Sequence, residues 1–411
     1  MELRPAAHAQ PKIARCSLSL KRRISLEFQM RCVLILLVLS AAVIAQVNDA
    51  RIAREFESLM RQASAAKESD PNAARAASDA WKRSLDGFIS SWKAESATLK
   101  EGRWPLARAL LLAGMPGEAA PLLEAFCAAH GDHEDLEDAW LTHASARLEN
   151  GEPKKAHEVL SAFLASRPES TRRLPARFYF GIACLGTFDD KEAIAAFDQV
   201  IKEGGNHPLV ADANLKVMTT LAENGRAAEA LIRLVSLLKE HPDAPALLAL
   251  KEQLEAIGKA PPSSSENVTW VRGKGSLTAT PGRVTVIVFF ADFYETSIDE
   301  LKRIQAASAA WRGKPVDVVA VTKRYRGKST TAEDEATRLG LLADRLALTF
   351  PIGMFGSDVT LRAFNVRGLP HTLVVGVDGK VALLKVGAAK RELRSDRVLQ
   401  ATIDRALSAP R

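Results

Sequence analysis

The sequence predicts a multidomain chain in which an all-α helical-repeat solenoid is followed by an α/β layered domain. Three observations predict it. Small and apolar residues recur at a spacing of 37 through the middle of the chain. A Pro/Ser-rich stretch, Gly258 to Glu266, then interrupts the pattern. Beyond it the hydrophobic period changes from helical to an alternation of strands and helices. At 411 residues the chain has room for two or three domains.

The N-terminus comes first. Residues 1–45 carry +5 of the formal +7, which leaves +2 for residues 46–411 and no electrostatic case for nucleic-acid binding. "MRCVLILLVLSAAVIAQ" from Met30 places a basic residue, an apolar tract and small residues ahead of Gln46. That is the order of a secretory signal peptide, so 1–45 is assigned as N-terminal extension and signal, with Met30 a candidate start. Export to the periplasm or another extracytoplasmic space is expected, and an uncleaved membrane anchor is the alternative. Of the four cysteines, Cys16 and Cys32 fall in this segment; Cys127 and Cys184 remain.

Residues 46–257 are expected to be helical. Up to about residue 100, "EFESLMRQASAAKES" and "AARAASDAWKRSLDGFISSW" suit a degenerate capping pair. From about 103 to 243 the repeat is explicit. Ala119, Ala156, Ala193 and Ala230 share one register, with Leu123, Leu160, Phe197 and Leu234 one turn later. Ala107, Ala144, Gly181 and Met218 precede them by twelve residues. Small residues let two antiparallel helices approach, and the large residue fills the groove. Gly114, Gly151 and Gly225 break the chain between helices, with Phe188 the odd one out. Such pairs must stack, because one pair cannot bury its own apolar face. "DAWLTHASARLENGEPKKAHEVLSAFLASRP" and "ARFYFGIACLGTFDDKEAIAAFDQVIKEGGNHP" resemble tetratricopeptide repeats, with Trp140 at the aromatic position. The period exceeds the family's usual ~34 residues by three, which implies longer turns. The resemblance implies protein or peptide partners.

Cys127 and Cys184 fall at helix positions that suit buried free thiols rather than a bridge. "HGDHEDLED" (His130 to Asp138) gathers metal-ligand residue types, but at an inter-repeat turn where polar residues are expected anyway, so no metal is assigned.

Residues 258–267 are expected to be a flexible linker. In 268–411, "NVTWVRG" is a first strand and Val284 to Phe290 a fully apolar central strand. Ser297 to Trp311 is helical, Val316 to Thr322 a buried strand, Thr331 to Leu346 a helix and "DVTLRAF" a short helix. "HTLVVGVDGKVALLKVG" is a hairpin turning at Asp378-Gly379, and Ser395 to Leu407 a closing helix.

Two stretches of this domain resemble the thioredoxin superfamily, nearest its exported thiol-disulfide and peroxiredoxin-related branches. "VIVFFADFYETSIDELKRI" matches in shape the strand, turn and helix that carry Cys-x-x-Cys. "FNVRGLPHTLVVGVDGKV" matches the cis-proline segment, with Pro370 as that proline and Leu369 presenting its backbone to an extended peptide. Tyr294 and Ser297 stand where the cysteines would, Val288 where some members keep a buried acid, and 268–411 contains no cysteine. The family's chemistry needs a low-pKa thiolate at the helix start and a second thiol. Thiol redox by this domain alone is therefore excluded.

Tyr294, Ser297, Leu369, Pro370 and His371 are the expected pseudo-active site and peptide-binding candidates. Ser297 with His371 could compose a nucleophile pair, but a hydroxyl at a helix start is more often a cap. Tyr294 either plugs the groove or offers a stacking face. Lys323, Arg324, Tyr325 and Arg326, in "TKRYRGKS" after a central strand, form a candidate anion-binding loop or else a solvated basic loop. The expected function is an exported, non-catalytic protein-binding scaffold without a cofactor. The alternative is a thiol-disulfide oxidoreductase or peroxiredoxin-family protein of cell redox homeostasis that acts with a partner's thiol.

Overall fold

The structure, a computed structural model, describes residues 45–67, 70–326, 330–387 and 393–409. Residues 1–44, nearly all of the expected signal segment, and Lys328 of the basic loop lie outside the described residues. Among the described residues no helix is long and apolar enough to cross a membrane. The chain divides into two compact units between Asn150 and Gly151.

The first unit is helical: α1 (45–67), α2 (Pro71–Lys93), α3 (Arg103–Leu112), α4 (Pro116–Ala129) and α5 (Leu136–Glu149). Its core gathers Ile52, Phe56, Trp92, Leu106, Leu123 and Phe126. Helices α1 and α2 pack as a pair: Phe56 meets Phe88 at 5.9 Å, and Trp92 Nε1 donates to Glu55 at 2.7 Å. His130 and His133 of "HGDHEDLED" flank the Phe126 ring at 4.6 and 5.0 Å. His133 Nδ1 also accepts from the Asp135 N–H at 3.0 Å, so both imidazoles shape the turn.

The second unit continues with α6 (Pro153–Ser166), α7 (Arg173–Thr187), α8 (Asp190–Gly204), α9 (Leu209–Glu223), α10 (Ala227–Glu240) and α11 (Pro245–Ala256). Helices α4, α6, α8 and α10 begin 37 residues apart. The alanine and leucine/phenylalanine registers are all buried. The need for a small residue is plainest at Gly181, where a Cβ would lie 2.6 Å from the Phe197 ring. Phe188, the exception among the turn glycines, takes the same left-handed φ of 67°. That conformation costs a non-glycine residue about 1–2 kcal/mol. The Arg397 guanidinium covers its ring at 4.3 Å, an offsetting contact.

The α/β domain is a six-stranded sheet of order β1-β4-β3-β2-β5-β6: β1 (Thr269–Arg272), β2 (Val284–Phe290), β3 (Val316–Lys323), β4 (Ile352–Phe355), β5 (His371–Val375) and β6 (Val381–Val386). β3 runs parallel to β2, while β5 runs antiparallel to it and forms a hairpin with β6. Helix α12 (Glu295–Ser308) connects β2 to β3, α13 (Ala332–Arg345) and α14 (Val359–Ala363) follow, and α15 (Leu393–Leu407) closes the chain. The strand order β3-β2-β5-β6, with a cis Leu369–Pro370 bond before β5, makes the domain thioredoxin-like. β2 is buried throughout, which is why its sequence is unbroken apolar apart from Thr285.

The Pro/Ser-rich stretch is not a free linker. Gly258 N–H donates to the Val381 carbonyl and Val381 N–H to that of Lys259, each at 2.8 Å. The Glu266 carboxylate accepts from Ser357 N–H at 2.7 Å and the Thr360 hydroxyl at 2.8 Å. Helix α15 is joined to the helical pairs in turn: Arg394 bonds Asp190 and Glu223, and Arg405 donates to the Glu223 carbonyl at 2.6 Å.

Candidate functional site

Parallel pairing brings the C-terminal ends of β2 and β3 together, and the antiparallel β5 starts at the same end. The turn Ala291 to Tyr294, the basic loop and the cis-proline therefore meet at one edge of the sheet.

Ser297 lies inside that turn rather than on it. It is fully buried, and its Oγ accepts the Ala291 N–H at 3.3 Å, while its own N–H donates to the Tyr294 carbonyl at 3.0 Å. Its hydroxyl closes the strand–helix turn and is not presented to solvent. His371 is 1% exposed, paired between Phe289 and Val386, with the Phe289 ring edge-on at 5.8 Å. Burial lowers its pKa to about 4, so the imidazole is neutral, and Nδ1 has no hydrogen-bond partner among the described residues. No hydrogen bond joins Ser297 to His371 among the described residues, and a nucleophile pair has no geometric support.

Pro370 is buried and Leu369 half-buried. The Pro370 carbonyl accepts from Gly387 N–H at 2.8 Å, whereas no backbone hydrogen bond to a described residue engages Leu369. The same end of the sheet carries an aromatic ledge. Phe293 is 53% exposed and Tyr294 54%; their rings are 5.5 Å apart, and Phe293 also meets the Tyr325 ring edge-on at 5.2 Å. Tyr294 thus stands outward from the turn instead of filling the space beneath it. Burial, with the Asp358 and Asp292 carboxylates, pushes the Tyr325 phenol above its ordinary range, so it stays protonated.

Each described cation of the basic loop faces a carboxylate. Lys323 pairs with Asp358 at 2.7 Å, Arg324 with Glu335 at 3.4 Å and Arg326 with Asp292 at 3.8 Å. Arg338 adds a second cation to the nearly buried Asp292 at 2.8 Å. The positive charge of Lys323, Arg324 and Arg326 is matched by carboxylates within the fold.

Sequence reasoning missed the group that ties the two halves of this site together. Glu300 of α12 is buried and accepts from Arg303 Nε at 2.9 Å and from the Thr372 hydroxyl of β5 at 3.0 Å. Arg303 reaches on to Asp396 of α15 at 2.8 Å. Burial alone would raise the Glu300 pKa, but Arg303, Lys385 and Thr372 together hold it below the ordinary carboxylate value. The available signal was its spacing: Ser297, Glu300, Leu301 and Ile304 form the buried stripe of α12.

No thiol reaches this edge from the domain's own sequence, and Val288 at the would-be acid position is buried apolar. Cys127 and Cys184, on the helical pairs, are not joined in a disulfide; burial, then the neighbouring Glu192, pushes Cys184 up to about 12.

No protein-family model matches the chain, and no curated protein matches it. Solved structures do. A thiol-disulfide isomerase from Corynebacterium glutamicum is 17% identical, with 37% of this chain and 99% of that one covered at a TM-score of 0.31. A thiol:disulfide interchange protein of the thioredoxin family from Chlorobium tepidum is 18% identical over 35% of this chain and 97% of that one, TM-score 0.29. StoA from Bacillus subtilis is 16% identical over 34% of this chain and 99% of its own, TM-score 0.28.

Proposed function

We propose that the chain is an exported, non-catalytic protein-binding scaffold: tetratricopeptide-type helical pairs joined to a redox-inactive thioredoxin-like domain. One observation carries this reading. At the turn where the fold would hold a thiolate, two half-exposed aromatic rings stand instead, at the same end of the sheet as a Leu369 backbone with no described partner. A thiolate nucleophile needs sulfur, and 268–411 has none. An extended peptide needs only backbone donors and acceptors and an apolar face. Leu369 supplies the first, and Phe293 and Tyr294 the second. The basic, apolar and small residues before Gln46 support export.

Insulin reduction and peroxide turnover by the full chain test the absence of redox chemistry. Neither is expected, with or without Cys127→Ser and Cys184→Ser; turnover abolished by either substitution overturns the reading. Pulldown from cell envelope tests the groove. Tyr294→Ala and Leu369→Asp should each lose partners that the wild-type chain retains. An unchanged partner set in both variants would reduce the domain to a cap on the helical array.

A further inference from the structure

Three consecutive helices of the second unit bring an imidazole, a thiol and a carboxylate to one point. A ring nitrogen of His157 on α6, Sγ of Cys184 on α7 and a carboxylate oxygen of Glu192 on α8 lie within 4.8 Å of one another. We propose that His157, Cys184 and Glu192 form a zinc-type metal site with three protein ligands and a fourth position open to solvent.

The distances suit such an ion. Bonds of about 2.0–2.3 Å in tetrahedral geometry hold neighbouring donors roughly 3.4–3.8 Å apart. His157 Nε2 and the Glu192 carboxylate are 3.6 Å apart, inside that range but too long for a hydrogen bond. Closing the remaining gap asks for about 1 Å of movement at most, and the residues able to move are the right ones. The side chains of His157 and Glu192 are 32% and 48% exposed, while Cys184 is anchored in the core. The Phe180 ring, 4.7 Å from the imidazole, sets the direction of His157. The donor chemistry selects among metals: thiolate and imidazole favour a borderline ion such as zinc over calcium or magnesium.

Two of the three residues also depart from the repeat. In the 37-residue register, Ala120 and Ile194 stand at the position of His157, and Arg147 and Leu221 at that of Cys184. Repeat packing therefore does not call for His157 or Cys184, whereas Glu118 and Glu229 stand at the register position of Glu192; the three side chains coincide where α6, α7 and α8 meet. On binding, the Cys184 S–H bond breaks, a sulfur–metal bond forms and the proton passes to solvent, with no change of oxidation state.

Cobalt titration of the untagged, reduced full chain tests the site, with zinc as competitor. A single equivalent of Co²⁺ should produce a thiolate-to-cobalt charge-transfer band and the visible absorption of a four-coordinate ion, both removed by zinc. Cys184→Ala should abolish the charge-transfer band and Cys127→Ser should leave it. His157→Ala and Glu192→Gln alter partly exposed side chains and should not threaten folding. Each should weaken uptake beyond the roughly 10–100-fold lost with an outer-shell partner. If Cys184→Ala fails to fold, those two variants decide. No charge-transfer band in the wild-type chain, a band lost with Cys127→Ser, or uptake undiminished in His157→Ala overturns the site.

Discussion

Replacing Glu300 by alanine should destabilise the protein by about 3–5 kcal/mol, although the residue faces no ligand. Its side chain is 1% exposed, and it satisfies both Arg303, 15% exposed, and the buried Thr372 hydroxyl. Truncation leaves Arg303 with Asp396, itself half in solvent, as its remaining described acceptor, and leaves Thr372 without one. The cost comes from leaving a mostly buried guanidinium with a single half-exposed partner, and a buried hydroxyl with none described, rather than from the lost bond alone. The double substitution Glu300→Leu with Arg303→Met should therefore cost far less than Glu300→Ala alone. A buried ion pair and an apolar pair of similar volume are often close in free energy. Urea unfolding at neutral pH measures both, read from midpoints at constant slope. The sign with pH is also fixed. A folded pKa below the unfolded one makes this stabilisation full above the unfolded carboxylate value of about 4.3 and lost as pH falls through the folded value. Wild-type and Glu300→Gln stabilities should converge in acid. A single substitution costing under about 1 kcal/mol, or a double one costing as much as the single, refutes the reasoning.

Three other outcomes are expected. His371 is buried neutral with its pKa lowered to about 4, so protonation favours unfolding and stability falls as pH drops from about 6.5 towards 4. The full effect is roughly 3 kcal/mol, and His371→Phe should flatten that part of the pH–stability curve. Gly181→Ala pushes a Cβ to 2.6 Å from the fully buried Phe197. Overpacking of about 1–3 kcal/mol should outweigh the ~1 kcal/mol helix gain. Gly87→Ala, with nothing within 4 Å, should show only the gain in the same thermal melts. Arg394→Ala removes the bonds to Asp190 and Glu223 and should cost about 1–3 kcal/mol, with faster amide exchange across Leu393–Leu407.

What was legible in the sequence was local. The apolar run of β2 and the Asp378-Gly379 turn each rest on near neighbours in the chain, and the 37-residue register rests on one such local pattern recurring. β4 escaped because four residues with a central glycine show no alternation. Gly353 is needed there because Val268 and Trp270 cross it, a contact made more than eighty residues away in sequence. Composition made Gly258 to Glu266 look flexible, since it cannot register that Val381, Ser357 and Thr360 would pin it. The candidate site divides in the same way. The strand–turn–helix and the cis-proline segment could be placed from their own residues. The burial of Ser297 and the neutral His371 depend on the sheet closing over them. The basic loop read as an anion site only while Asp292, Glu335 and Asp358 were out of view. His157, Cys184 and Glu192 share no recognisable spacing, because packing between three helices sets their meeting rather than one helix face.

The most direct test of a working peptide groove without sulfur chemistry is amide hydrogen exchange on the full chain, with and without an excess of a reduced, alkylated, unfolded protein. Slower exchange is expected at 293–298 and 367–371, the aromatic turn and the segment carrying Leu369, and the slowing should vanish in Leu369→Asp. Binding that leaves both segments unchanged and protects only the helical pairs would contradict it.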